Sequence, residues 1–344
     1  MILTYKIRHN MNFSVELKQA RAVAKYALHN KSRSSKDVKH IGLKSAISNQ
    51  ILKKYSSNKK LKRIGNVKLT VPSQGINVDH ETMTVKIPCL KLSFAYPVEF
   101  IKANQAEIDN GYVYLSVTVP DKEPMQVDNY IGVDRNTTGH IAVAANPITG
   151  EVFKLGKKGH HIHKKYKNIR KSLQAKGKTK KLKQVKDRES RIVRDLNHKI
   201  SSKLVRIALA AKSGIKLEDL KGIRNNRKHS KSFNYSLNSW SFYQLQTFIE
   251  YKAKLHGVRV VYIEPAYTSQ TCSKCGHIGD RNAKSFKCPT CGHVENADVN
   301  AAFNIAKSQR ISQSTIDRDM VDGRTDTPIA ALVKTPLTVE PHRL

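Results

Sequence analysis

Four cysteines fall into two close pairs in the C-terminal part of the chain. Cys272 and Cys275 lie in TCSKCG, Cys288 and Cys291 in CPTCG, and twelve residues separate the pairs. Two intervening residues let both sulfurs of a pair point the same way. Gly276 and Gly292 follow, where the turn calls for a backbone conformation that a Cβ would resist. Four thiolates at this spacing suit tetrahedral zinc, and a closed site of that kind is structural. Disulfides are the alternative, but four of the five cysteines sit in these pairs and nothing suggests secretion. The fifth, Cys89 in KIPCLKL, reads as a small buried apolar residue.

Acids supply the second chemistry. Seven residues past Cys291 comes Asp298, inside NADVNAAFNIAK, which has the pattern of the first turns of a helix. Alone, an acid there does no more than favour the positive end of the helix dipole. An active site requires partner carboxylates upstream. Asp134, between Val133 and Arg135 in an apolar stretch, is one candidate, because an unpaired carboxylate in a strand is costly. It is either hydrogen-bonded as part of a turn or a metal ligand, and both readings stand. Glu218 and Asp219 end GIKLEDL, and Glu264 ends VRVVYIEP. Spacing does not choose among these three.

The elements that must position these groups can be read from pattern. Ile131 and Val133 open a strand with Asp134 near its end, and two turns then lead into IAVAA and EVFKL. Three consecutive strands headed by a buried-looking acid are how an RNase H-like sheet starts. Lys154 to Lys186 holds 14 Lys and Arg and no acid, with His160, His161 and His163 interspersed. Beyond Gly177 a helical pattern runs through Leu196, Ile200, Leu204 and Ile207. A basic run feeding a helix of this length reads as a nucleic-acid backbone contact, and its histidines as packing or phosphate-contacting residues. Lys221 to Asn234 reads as a basic loop. Trp240 to His256 reads as an amphipathic helix with Phe242, Leu245, Ile249 and Ala253 on its core stripe. The tail after Lys307 has little periodicity and reads as disordered.

The chain has 344 residues, enough for two or three domains, and 62 Lys plus Arg against 27 Asp plus Glu give a net charge of +35. Such an excess repels itself unless a polyanion is present, and nucleic acid is the obvious one. No apolar run reaches the ~18 residues of a spanning helix, and no lipidation box or signal peptide is seen, so neither a membrane nor export is expected. Residues 1–60 carry 14 Lys and Arg opposed only by Glu16 and Asp37, with two helical patterns, one around Val15 to Leu28 and one over Ile41 to Tyr55. From Val67 to Pro120, segments such as KLTVP, MTVKIP, LKLSFA and YVYLSVTVP are β-rich. They predict a small antiparallel barrel or sheet with the helices inserted near its start. DKEPMQVDN, Asp121 to Asn129, reads as a linker.

From about Tyr130 to Lys307, the runs GVDRN, KLEDL, SWSFYQLQTFIEYKAKLHGVRVVYIEPAYTSQTCSKCG and CPTCGHVENADVNAAFNIAK resemble the TnpB family. These are transposon-encoded proteins with a RuvC-like nuclease domain, similar to the compact ancestors of type V CRISPR effectors. The resemblance implies an RNA-guided DNA endonuclease of the prokaryotic cytoplasm, with a guide RNA and a double-stranded DNA target as partners. It implies an α+β architecture in four parts. Residues 1–125 would be a β-barrel with a helical insertion, 130–307 an RNase H-like (RuvC) nuclease domain, 268–296 a zinc ribbon inserted in it, and 308–344 a disordered tail. The family's three catalytic acids fall on Asp134, Glu218 and Asp298, so the choice of Glu218 comes from the resemblance. Asn136 stands where many members have Gly, and Ala297 where many have Arg. Such a triad would hold two Mg²⁺ ions about 4 Å apart, which activate water and stabilise the departing oxyanion. Three other readings compete. A guided DNA-binding regulator should have lost an acid, and none is missing. A strand-joining transposase would need an end-binding domain that nothing marks. A basic RNA-binding scaffold would leave the acids as coincidence.

Overall fold

The computed structural model describes residues 1–58, 61, 63–96, 98–220, 242–315 and 338–339. The chain divides between Pro120 and Asp121 into two compact units.

The N-terminal unit runs β1 (Ile2–Arg8), α1 (Ser14–Asn30), a 3₁₀ segment (Ser35–Ile41), α2 (Ser45–Ser56), β2 (Leu69–Pro72), β3 (Asn77–Asp79), β4 (Thr84–Ile87), β5 (Leu92–Ala95), β6 (Lys102–Ile108) and β7 (Tyr112–Thr118). Helix α1 buries Ala20, Val23, Ala24 and Ala27, and α2 buries Ile47, Ile51 and Leu52, the i, i+3, i+4 spacing of an amphipathic helix. The expected barrel is not closed. Strands β1, β7, β6 and β2 pair antiparallel in that order, while β3, β4 and β5 form a separate three-stranded sheet. Closure needs a continuous staggered ladder. Here β3 to β5 are only three or four residues long, and 3₁₀ turns at Ser73–Gly75 and Pro88–Leu90 interrupt the run.

The second unit is built on β8 (Tyr130–Arg135), β9 (Ala142–Ala145), β10 (Val152–Leu155), α3 (Lys158–Ala175), α4 (Thr179–Ala210), β11 (Gly214–Glu218), α5 (Phe242–His256), β12 (Val260–Ile263), β13 (Asp280–Asn282), β14 (Ser285–Lys287), β15 (Val294–Asn296) and α6 (Ala297–Lys307). Its main sheet has the order β10-β9-β8-β11-β12, with β8, β9 and β10 antiparallel and β11 and β12 parallel to β8. The result is a mixed α/β fold.

Strand alternation sorts the side chains between two layers. Ile131 and Val133 of β8, with Ile215 and Leu217 of β11, join Ile200, Leu204, Leu245 and Ile249 of α4 and α5 in the main core. The intervening residues, Gly132 and Asp134 on β8 and Lys216 and Glu218 on β11, therefore face the opposite side, where α6 lies. Lys216 confirms the direction: its ammonium donates to the carbonyls of Ala306 (3.1 Å) and Ser308 (2.7 Å) at the end of α6. Gly132 is where α6 crosses β8. A Cβ there would stand 2.1 Å from the Ala302 carbonyl oxygen, so only glycine admits the helix.

The basic run is helical earlier than its pattern suggested. Helix α3 already spans Lys158–Ala175 and turns through Gly177 (φ +59°) into α4. His163 is buried between the two helices, its Nδ1 2.8 Å from Glu189, which Arg170 also meets, so this histidine packs. The loop Lys221 to Asn234 and Trp240 lie outside the described residues. Residues 308–315, expected to be part of a disordered tail, are ordered. The Ser312 N–H donates to the Tyr262 carbonyl (2.9 Å), the Tyr262 N–H to Thr315 Oγ1 (2.6 Å), and Ser312, Ser314 and Thr315 are buried. Residues 308–315 thus cover the open edge of β12, whose backbone groups would otherwise lack partners. No helix among the described residues is long and apolar enough to cross a membrane.

Candidate active site and metal centre

The four cysteines converge. Their sulfurs all lie within 4.8 Å of one another, with Cys272 to Cys291 at 3.7 Å and Cys275 to Cys288 at 3.5 Å. These separations exclude disulfides, and all four thiols are free. They match the edge of a tetrahedron with metal–sulfur bonds of about 2.3 Å, which is about 3.8 Å. The two knuckles repeat one geometry. Cys272 N donates to His277 O and Cys288 N to His293 O, each at 2.8 Å, while Gly276 N and Gly292 N return to Cys272 O and Cys288 O at 3.0 Å. Gly276 (φ +80°) and Gly292 (φ +69°) are both left-handed, as their positions in the sequence predict. The donor set fits a structural metal ion.

The three acids sit at the ends of elements that the second unit brings side by side. Asp134 and Glu218 are on adjacent parallel strands whose pairing runs Leu217 to Val133 one step earlier. Asp298 is in the first turn of α6, with Asn296 capping the helix by accepting from the Asp298 N–H at 3.0 Å. Asp134 and Asp298 are both buried.

Two side chains tie Asp298 to Asp134. The Lys284 ammonium, from the turn between β13 and β14, donates to both Asp298 oxygens at 2.7 Å and to Asn136 Oδ1 at 3.0 Å; Asn136 Nδ2 in turn donates to Asp134 Oδ2 at 2.8 Å. Burial, then the charge of Glu218, push the Asp134 carboxyl up to about 7. The Asn136 hydrogen bond opposes that shift, Asp298 adds to it, and Lys284 counters it. Burial also raises Glu218, against a hydrogen bond from Thr268 Oγ1 and the positive charges of Arg135 and Arg281. The cluster thus gathers carboxyl oxygens of the kind that a hard divalent cation takes.

The rivals of Glu218 are placed elsewhere. Asp219 Oδ2 accepts from Ser312 Oγ at 3.1 Å and from Ser314 Oγ, which occupies it with the chain beyond α6. Glu264 is exposed. Spacing could not make this distinction, because adjacent residues at a strand end differ only in which face they take. Lys284, Thr268 and Arg135 were not singled out from sequence. Arg135 is fully within the α5 side, donating through Nη1 to Gln246 Oε1 at 3.0 Å and through Nη2 to the Glu218 carbonyl oxygen. The only signal for it was its alternation with Asp134.

Comparison with known proteins agrees with this architecture. Residues 242–305, from α5 through the cysteine segment into α6, match the family described as Cas12f1-like, TNB domain. A TnpB-like protein of Methanocaldococcus jannaschii is 41% identical over 166 residues, covering 46% of this chain and 59% of that protein. The CRISPR-associated endodeoxyribonuclease Cas12f1 of Sulfoacidibacillus thermotolerans is 40% identical over 131 residues, covering 37% of this chain and 30% of its own length. The alignments thus span less than two thirds of these relatives. The fold resembles a Cas12f1 chain solved by cryo-electron microscopy with sgRNA and target DNA, at a TM-score of 0.55 and 19% identity over 87% of this chain and 82% of that one. The chain thus has a mixed α/β fold resembling that of Cas12f1. Over the matched segments, the chain is similar to TnpB-like and Cas12f proteins.

Proposed function

We propose that the protein is an RNA-guided DNA endonuclease of the TnpB type. Residues 130–307 would form its RuvC-like nuclease domain, 268–296 a zinc ribbon within it, and 1–125 a nucleic-acid-binding region. Asp134, Glu218 and Asp298 would be the catalytic acids and hold Mg²⁺, while Cys272, Cys275, Cys288 and Cys291 would hold Zn²⁺. The observation that carries the reading is the convergence of the acids: Asn136 and Lys284 link Asp134 to Asp298, and Glu218 ends the strand paired beside that of Asp134. Carboxyls this far apart in sequence and this close in the fold raise one another's pKa, which a bound cation would relieve.

Bound Mg²⁺ would supply Lewis-acid activation of water and neutralise charge on the phosphodiester and the departing oxygen. The chain's own residues prepare for it. Asp134 is held by Asn136, Glu218 by Thr268, and Asp298 by the helix cap and Lys284. Arg135 fixes the end of β11 by binding the Glu218 carbonyl. The two partners named for the Cas12f1 relative, sgRNA and target DNA, fit a chain of net charge +35. Base pairing with the guide would read the sequence, and the basic helices α3 and α4 would track phosphates.

The test is to purify the protein with its associated RNA, sequence that RNA, and supply a DNA duplex matching its variable end. Mg²⁺-dependent cleavage by the parent, lost in Asp134→Ala with RNA binding retained, supports the proposal. Cleavage that survives Asp134→Ala removes Asp134 from the mechanism.

A further inference from the structure

Lys284 has no part in the reading above beyond its contacts, yet it occupies both oxygens of one proposed metal ligand. Its ammonium lies 2.7 Å from each Asp298 oxygen and 3.0 Å from Asn136 Oδ1, and Asn136 passes the contact on to Asp134. An ammonium in the fork of a carboxylate takes the lone pairs that a cation seated there would need. The two charges cannot share that position.

The backbone around Lys284 is fixed while its side chain is not. Its carbonyl accepts from the Ala297 N–H at 2.9 Å, which anchors the β13–β14 turn to the start of α6, and Ala283 before it is left-handed at φ +50°. The Asp298 side chain is 5% exposed, but that of Lys284 is 36% exposed and carried on a four-carbon stem. Of the two partners, Lys284 is the one free to swing away.

We propose that the Lys284 ammonium is the resident counter-ion of the acid cluster and yields its place to a divalent cation. The cysteine-bearing hairpin then sets the cation concentration at which the acids load. The inference rests on the proposed acid site. Lys284 is a positioning residue here: it governs occupancy of the site and performs no step of cleavage.

The experiment measures Mn²⁺ binding to the full chain by calorimetry, with the cysteine site loaded with zinc beforehand. Lys284→Gln should bind Mn²⁺ about tenfold more tightly than the parent, because a competing charge in direct contact has gone. Lys284→Arg, which keeps the charge, should show no such gain. Arg281→Gln controls for general loss of positive charge, since Arg281 acts on Glu218 only through space, and should shift affinity less than about threefold. Unchanged or weaker binding in Lys284→Gln overturns the inference and leaves Lys284 as a support for Asp298. A parent that binds no Mn²⁺ sensitive to Asp134→Asn overturns the acid site itself, and the two failures are thereby told apart.

Discussion

Gly132 and Ala302 meet so closely that a methyl carbon on Gly132 would lie 2.1 Å from the Ala302 carbonyl oxygen and 2.3 Å from the Ala306 nitrogen. Both neighbours are backbone of α6, so neither can rotate aside. The contact sets the height of α6 over β8, and with it the position of Asp298 relative to Asp134. Gly132→Ala should push the helix off the sheet and destabilise the protein by about 3 kcal/mol or more. Gly65→Ala, where nothing lies within 4 Å of an added Cβ, should cost under about 0.5 kcal/mol. Urea denaturation of both variants checks this, and equal midpoints would show that α6 does not rest on Gly132.

Removal of one thiol tests the cysteine centre. Cys288 is buried against Phe286, Cys272 and Ala297, so the cysteine-bearing segment packs directly on the start of α6. Cys288→Ser should lose its bound zinc and lower the melting temperature, and chelation of the parent should do the same. Metal analysis by plasma emission and a thermal melt read both effects. Retention of one zinc per chain in Cys288→Ser would contradict the four-thiolate site.

Asp134 makes a pH-dependent contribution whose sign follows from its raised pKa. Between the ordinary value of 3.8 and about 7, the folded chain keeps a proton that the unfolded chain has released. Stability of the metal-free protein therefore falls as pH rises through that window, and the full penalty is present above about 7. Asp134→Asn should raise the melting temperature of metal-free protein at pH 8 by several degrees and have little effect near pH 4. Melts at the two pH values decide it. A gain that is the same at both would mean that Asp134 is not held neutral by its surroundings.

Arg135 should matter to stability although it touches no proposed cation. Its two terminal nitrogens serve Gln246 and the Glu218 carbonyl inside the core, and Nε has no partner among the described residues. Arg135→Met removes both donors and leaves two half-buried acceptors short, a loss of about 1–2 kcal/mol. Denaturation measures that cost. Mn²⁺ titration should also weaken if the end of β11 loosens, whereas unchanged binding would limit Arg135 to stability.

The cysteine centre was the most legible feature, because ligand spacing and the following glycines are local properties. The strands of the second unit and the core stripe of α5 also follow local periodicity, with Leu245, Ile249 and Ala253 all in the core. The acids were visible as strand-end and helix-start positions, but the choice of Glu218 over Asp219 was not. The two side chains enter different layers, and their partners, α6 on one side and Ser314 on the other, arrive from about 80 to 95 residues away. Lys284 was hidden for the same reason: one lysine in a basic chain is distinguished only by the carboxylate it meets. In the N-terminal unit, alternation identified strands yet could not say whether they close, since closure depends on ladder continuity that three-residue strands do not sustain. Short serines and threonines covering a sheet edge have the composition of a disordered tail, which concealed the order of residues 308–315.

The paired variants Glu218→Gln and Asp219→Asn ask most directly whether the cluster around Asp134 does the chemistry. With RNA and matching DNA bound, the single-turnover cleavage rate of Glu218→Gln should drop at least about a thousandfold, more than ~4 kcal/mol of barrier. Asp219→Asn should cleave within about threefold of the parent and only melt earlier, its partners being Ser312 and Ser314. Parent-like cleavage by Glu218→Gln, or loss of cleavage in Asp219→Asn alone, would contradict the assignment of Asp134, Glu218 and Asp298 as the acids that hold the catalytic cations.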